Sequence, residues 1–177
     1  PELVIYDVDL TLGLPVGMSG TSGINAIAHA VEGLYAKDTN PVMRMLAAAG
    51  IEALAEALPT IARKADDVDA RSQALYGAWL CGTVLGSVGM ALHHKLCHTL
   101  GGTFDLPHAE THTVVLPHAL AYNAPAIPDS IDVLRKALKN DDPAQALFVL
   151  GRAVNAPASL RELGMPEDGI DKAADQA

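Results

Sequence analysis

The run Ala74-Leu-Tyr-Gly-Ala-Trp-Leu-Cys-Gly-Thr-Val-Leu-Gly-Ser-Val-Gly-Met-Ala-Leu92, followed at once by His93-His94-Lys95-Leu96-Cys97-His98, decides the fold. Nineteen residues pass without a charge, enough to imitate a membrane span, and Gly82-Thr-Val-Leu-Gly86 reads as GxxxG. The same run holds Gly77, Gly89, Ser87 and Thr83, however, and it is poor in the Leu, Ile and Phe of a lipid-facing helix. A helix apolar on all sides also serves as the central helix of a soluble bundle, where glycines let neighbours approach closely. We therefore expect one long helix over roughly Asp69–Leu100, ended by Gly101-Gly102, inside an all-α multi-helix bundle with no membrane partner.

Outward from that helix the punctuation stays helical. Asn40-Pro41 is an N-cap followed by Pro at the first helical position, opening a stretch with apolar Val42, Met43, Leu46, Ile51 and Leu54. Thr21-Ser22-Gly23 opens an earlier helix, and Pro107 places His108 in the first turn of a later one. Asp129 and Asp142-Pro143 open two more, and Asn155-Ala-Pro157 opens another that stops at Gly164-Met165-Pro166. The sum is roughly six to eight helices with short connections and no internal repeat. Only a short N-terminal extended segment, Leu3-Val4-Ile5-Tyr6-Asp7, favours strand. The chain starts at Pro1 and stops within a helical pattern, so residues 1–177 are expected to be a single helical domain excised from a longer enzyme.

Composition narrows the function. The chain has 177 residues with 12 basic and 21 acidic side chains, a net charge of -9, and half of its residues are apolar. That apolar fraction argues against disorder, and the acidic balance argues against a nucleic-acid partner, which needs a basic face. Cys81 and Cys97 are sixteen residues apart, roughly 24 Å along one continuous helix and too far for a bridge. Free thiols and no leader-like segment suggest the cytoplasm.

Seven histidines are present, six of them between His93 and His118. His94 and His98 are i,i+4 neighbours and share a helix face, while His93 points about 100° away. Asn25 and His29 form a second such pair, and His108 and His112 a third. Three polar pairs on three helices can converge on one cleft. His94 and His98 close an uncharged run and so need partners or water. His108, at a helix N-terminus, is placed beside a position that attracts anions. A lone helical histidine is more often structural, and His93, His112 and His118 are read that way. Several motifs fail: His108-Ala-Glu110 lacks a following PCxxC, and His29-Ala-Val-Glu32 is not HExxH. No GxGxxG or GxxxxGK[ST] occurs, so a nucleotide would have to be held largely outside this chain.

Two blocks carry a resemblance. Gly23-Ile-Asn25-Ala-Ile-Ala-His29-Ala-Val-Glu32 is similar to the G-x-D-A-x-x-H-A-x-E helix of the iron-containing (group III) alcohol dehydrogenases. His94-Lys-Leu-Cys-His98-Thr-Leu-Gly101, followed by Pro107-His108, resembles their H-x-x-x-H-x-L-G and P-H block. The resemblance runs over nearly the whole chain, including Ser159-Leu-Arg-Glu-Leu-Gly164. It implies a dehydroquinate synthase-like C-terminal domain, an N-terminal domain of the same chain that holds NADH or NADPH, and a homodimer. Within the superfamily, three stretches look most like the maleylacetate reductases: His93–His98, Leu106–His112 and Val115–Pro125. Those enzymes reduce maleylacetate, a small dicarboxylate, to 3-oxoadipate late in bacterial breakdown of aromatic compounds.

One departure bears on metal. Metal-dependent relatives carry Asp where this chain has Asn25, and that Asp acts with three histidines, here His29, His94 and His108. Asn25 brings no negative charge to offset a divalent ion, so the expectation is that metal is not required. On that expectation Asn25, His29, His94, His98 and His108 form the catalytic cradle, with Lys95 adding positive field toward substrate. His98 and His108 are the candidates for oxyanion stabilisation and proton donation. Two other readings are a metal-dependent alcohol or lactaldehyde dehydrogenase of the same superfamily, and a non-catalytic helical module that binds a metal.

Overall fold

The computed structural model describes residues 3–176; Pro1, Glu2 and Ala177, the ends of the expected domain, lie outside the described residues. Eight α-helices follow one another: α1 (Val16–Gly33), α2 (Pro41–Arg63), α3 (Val68–Leu85), α4 (Leu92–Phe104), α5 (His108–Asn123), α6 (Pro128–Leu138), α7 (Pro143–Ala153) and α8 (Gly169–Gln176). Short 3-10 turns at Val8–Thr11 and Ala124–Ala126 complete the regular structure, and no strand occurs among the described residues. The all-α expectation is met.

The core is a three-helix crossing. α1 buries Ile24, Ile27, Ala28 and Val31, and α2 buries Ala47, Ile51, Leu54 and Leu58, at the helical spacing of a face turned inward. α2 and α3 meet at Gly50 and Gly77. A Cβ on Gly50 would lie 2.7 Å from Cys81 Sγ, and one on Gly77 would lie 2.7 Å from Leu54 Cγ. The absence of side chains there brings the two backbones together. α2 is long and apolar enough by length and composition to cross a membrane, yet its apolar stripe packs into this core. A smaller apolar cluster, with Cys97, Leu100, Leu106, Val115 and Met165, joins α4 and α5 to the C-terminal segment.

Five local expectations are corrected. The long helix over Asp69–Leu100 is two helices, α3 and α4, separated by Gly86–Ala91. Carboxylates from the end of α1 and the loop beyond it draw off the backbone donors of that segment: Asp38 accepts from Gly89 N–H at 3.0 Å, and Glu32 accepts from Ala91 N–H at 2.8 Å. Tertiary hydrogen bonds thus win over a continuous apolar pattern. Gly101-Gly102 does not end α4, which runs to Phe104 and is closed by Asp105 in the left-handed region, φ 53°. α1 begins at Val16, after Pro15, so Thr21-Ser22-Gly23 lies inside it; Ser19 and Thr21 hydroxyls bond back to Pro15 and Gly17 carbonyls instead of capping.

Residues 157–164 form turns rather than a helix. Asn155 has a φ of 57°, Gly164 a φ of 97°, and Ala158 N–H bonds the Glu162 carboxylate, which holds the chain in a compact loop. The run Leu3–Asp7 is exposed and has no ladder partner, so it is not a strand. The two cysteines are free, as expected, and burial pushes both thiols up to about 12.

Candidate active site

α1 carries Asn25, His29 and Glu32 at i, i+4 and i+7, on one face toward the start of α4. α4 opens with His93 and His94 and carries His98 one turn later; α5 opens with His108 and carries His112. Six imidazoles gather there. The His94 ring lies 4.7 Å from His29, 5.1 Å from His93, 4.9 Å from His112 and 6.2 Å from His98, centroid to centroid. His108 lies 4.2 Å from His112 and 6.5 Å from His98. The cluster grades from a buried floor, His93, His94 and His112, to an exposed rim, His98 and His108.

The floor is held by Glu32, which is fully buried. Its Oε1 accepts from His93 N–H at 2.7 Å, and its Oε2 accepts from Ala91 N–H at 2.8 Å and from His94 Nδ1–H at 2.7 Å. α4 has no side-chain cap of its own. Glu32 supplies one from another helix and sets an anion at the positive end of α4. Burial raises the Glu32 carboxyl, but the hydrogen bonds from His94, Ala91 and His93 outweigh it and hold the group below its ordinary value.

Among the described residues, four buried side-chain atoms have no hydrogen-bond partner: Asn25 Oδ1, His94 Nε2 and both ring nitrogens of His112. Unpaired buried polar groups cost about 1–3 kcal/mol each, so they mark a place built to meet something. Burial, reinforced by the neighbouring imidazoles, pushes His29 down to about 4 and His112 down to about 2. Burial likewise pushes His93 down to about 4, only partly offset by its bond to the His112 carbonyl. These three rings are neutral near pH 7 and keep lone pairs.

Of the five residues expected to converge, the rings of His29, His94, His98 and His108 come together, and Asn25 lies one turn before His29 on α1 with its Oδ1 buried and unpartnered. His93 and His112, read from sequence as structural, also lie in the cluster: His93 faces it although it is 100° round the helix from His94, because α4 begins there and packs both residues inward. His112 sits at the centre. The i,i+4 pairing of His108 and His112 was the signal for it. Glu32 stood inside a quoted motif, but no local pattern reveals that it reaches another helix. The Lys95 side chain is exposed and forms no hydrogen bond or ion pair among the described residues, and His118 lies apart. His118 lines a separate cavity of about 670 Å³ between α5, α6 and α7.

An all-helical domain with this histidine cluster matches solved oxidoreductases over its whole length. A crystal structure of maleylacetate reductase from Rhizobium sp. strain MTP-10005 superposes with a TM-score of 0.96 at 54% identity, covering 99% of this chain and 50% of that one. Iron-containing alcohol dehydrogenase from Corynebacterium glutamicum gives 0.94 at 45% identity, covering 99% of this chain and 49% of that one. A maleylacetate reductase of Pseudomonas sp. (strain P51) is 64% identical over 172 residues, 97% of this chain and 49% of its own length. The family model for the C-terminal part of the Fe-containing alcohol dehydrogenases matches residues 19–177, and the chain belongs to that family. It spans about half the length of the curated relatives it matches.

Proposed function

We propose that this chain is the C-terminal helical domain of a two-domain, NADH- or NADPH-dependent reductase that converts maleylacetate to 3-oxoadipate. The observation that carries the reading is the histidine cluster itself, neutral at His93 and His112 and exposed at His98 and His108, in a chain so similar to maleylacetate reductases. The nicotinamide is held by the N-terminal domain of the same chain, which closes over the exposed side of the cluster. The full protein is a cytoplasmic homodimer, with neither nucleic acid nor membrane as a partner.

Maleylacetate conjugates a C=C bond to a ketone between two carboxylates. Hydride passes from the reduced nicotinamide to the carbon β to the ketone, the π electrons move onto the ketone oxygen, and the resulting enolate takes a proton at the α carbon. The oxidised nicotinamide and 3-oxoadipate leave. His98 and His108, at the exposed rim, donate hydrogen bonds to the developing oxyanion and supply the α-carbon proton, which solvent then replaces on the imidazole. His29, His94 and Asn25 shape the floor beneath the substrate, and Lys95 adds positive potential near its carboxylates.

The fold family also implies a metal. Asn25 Oδ1, His29, His94 Nε2 and His108 are donors of the right type for Fe²⁺ or Zn²⁺, and two of those atoms are buried without a partner. A bound dication would supply Lewis-acid polarisation of a carbonyl oxygen there. Our reading is that the reaction does not require it. The first donor is a neutral amide, and the nearby Glu32 carboxylate is committed to the backbone N–H groups of Ala91, His93 and His94 and to the His94 ring. The test is the full-length enzyme, assayed with maleylacetate and with simple alcohols before and after exhaustive chelation, alongside elemental analysis. Expected is chelator-resistant maleylacetate reduction without stoichiometric Fe or Zn. Alcohol oxidation that dies on chelation and returns with metal would establish the metal-dependent dehydrogenase reading instead.

A further inference from the structure

The two oxygens of Glu32 face the backbone N–H groups of Ala91 and His93, and those groups can only donate. Both oxygens are therefore acceptors. His94 Nδ1, 2.7 Å from Oε2, must then carry its hydrogen, because a bare lone pair against a carboxylate oxygen would repel it. The neighbouring ring agrees. His93 Nε2 lies 3.1 Å from the His112 carbonyl and donates to it, so in the neutral ring the lone pair is on Nδ1. That Nδ1 sits 3.4 Å from His94 Nδ1, where a hydrogen on His94 is welcome and a second lone pair is not. His94 Nε2 remains as the ring atom left over, buried and without a partner.

We propose that Glu32 is a positioning residue: it fixes His94 so that Nε2 is the nitrogen presented to whatever occupies the cluster, and it supplies, one ring further out, the negative charge that Asn25 does not. A carboxylate bonded to the far nitrogen of an imidazole sets the ring's orientation and raises the electron density of the near one. The arrangement stands on hydrogen-bond geometry and holds for any occupant of the cluster. Only its kinetic consequence rests on the reductase reading.

Glu32 also caps α4, so the test must separate a cap from a positioning group. Nitrogen-15 NMR of histidine-labelled full-length enzyme, with the His94 signals assigned by His94→Gln, should show Nδ1 protonated in the wild type. Isosteric Glu32→Gln removes the charge and sets an amide N–H₂ against the Ala91 or the His93 N–H. In that variant the His94 Nδ1 and Nε2 signals should move toward each other, and kcat for maleylacetate should fall about 10–100-fold with a much smaller change in KM. An unprotonated Nδ1 in the wild type overturns the proposal. So does a Glu32→Gln enzyme that loses thermal stability while its His94 signals and kcat stay put, which is the signature of a cap alone. If Glu32→Gln does not fold, the wild-type spectrum decides by itself. A wild type inactive on maleylacetate removes the substrate reading and leaves the spectroscopic test intact.

Discussion

The α1–α2–α3 crossing and the histidine cluster share helix α1, yet they are built on opposite terms. The crossing is dry and fully paired: Ile51, Leu54, Leu58 and Val84 are buried, and Gly50 and Gly77 let the backbones touch. The cluster leaves four buried polar atoms without partners and holds neutral rings against one another. One region spends its burial on packing. The other keeps unmet hydrogen-bonding capacity, and the first makes the second tolerable.

The comparison breaks most visibly at the rim. His98→Ala or His108→Ala in the full-length enzyme should lower kcat by about 10²–10⁴-fold while the thermal midpoint stays near wild type. Steady-state turnover close to wild type in both variants would remove their proposed roles. The converse substitution is Leu54→Ala, in the dry crossing. It should cost about 2–5 kcal/mol of unfolding free energy in urea titrations and leave kcat of the folded fraction unchanged.

Acid separates the regions in a third way. His93 and His112 have folded-state values of about 4 and about 2, against an ordinary value of 6.5, so the unfolded chain binds protons below 6.5 that the folded chain does not. Stability is therefore full above about pH 6.5 and is lost as pH falls toward 4, with a slope of about 1.4 kcal/mol per pH unit for each ring. Urea midpoints that stay level from pH 7 to pH 5 would contradict the buried neutral floor. The smallest effect belongs to the edge of the core. Asn40 accepts from Met43 N–H at 3.1 Å as the cap of α2, and Asn40→Ala should cost about 1 kcal/mol with no change in kcat.

What the sequence revealed follows from the range of each interaction. Asn40-Pro41 and Asp142-Pro143 announce α2 and α7 because a cap and its partner lie within one turn. The i,i+4 pairs pointed to the gathering of His29, His94, His98 and His108, since helical geometry fixes which residues share a face. The break at Gly86–Ala91 was hidden because the carboxylates that cause it, Asp38 and Glu32, come from more than fifty residues earlier. The same long reach hid Glu32 and left His93 looking structural. At Asn155-Ala-Pro157 the letters suit a helix start, but left-handed Asn155 and the Glu162 carboxylate close a loop instead.

Because the cap of α4 is borrowed from α1, the segment that bears His93, His94 and His98 has no independent start. Its first turn is closed by the Glu32 carboxylate at the end of α1. Amide exchange at Ala91 and His93 should therefore act as a sentinel, slow while the cluster is assembled and fast as soon as α4 detaches, long before the dry crossing lets go.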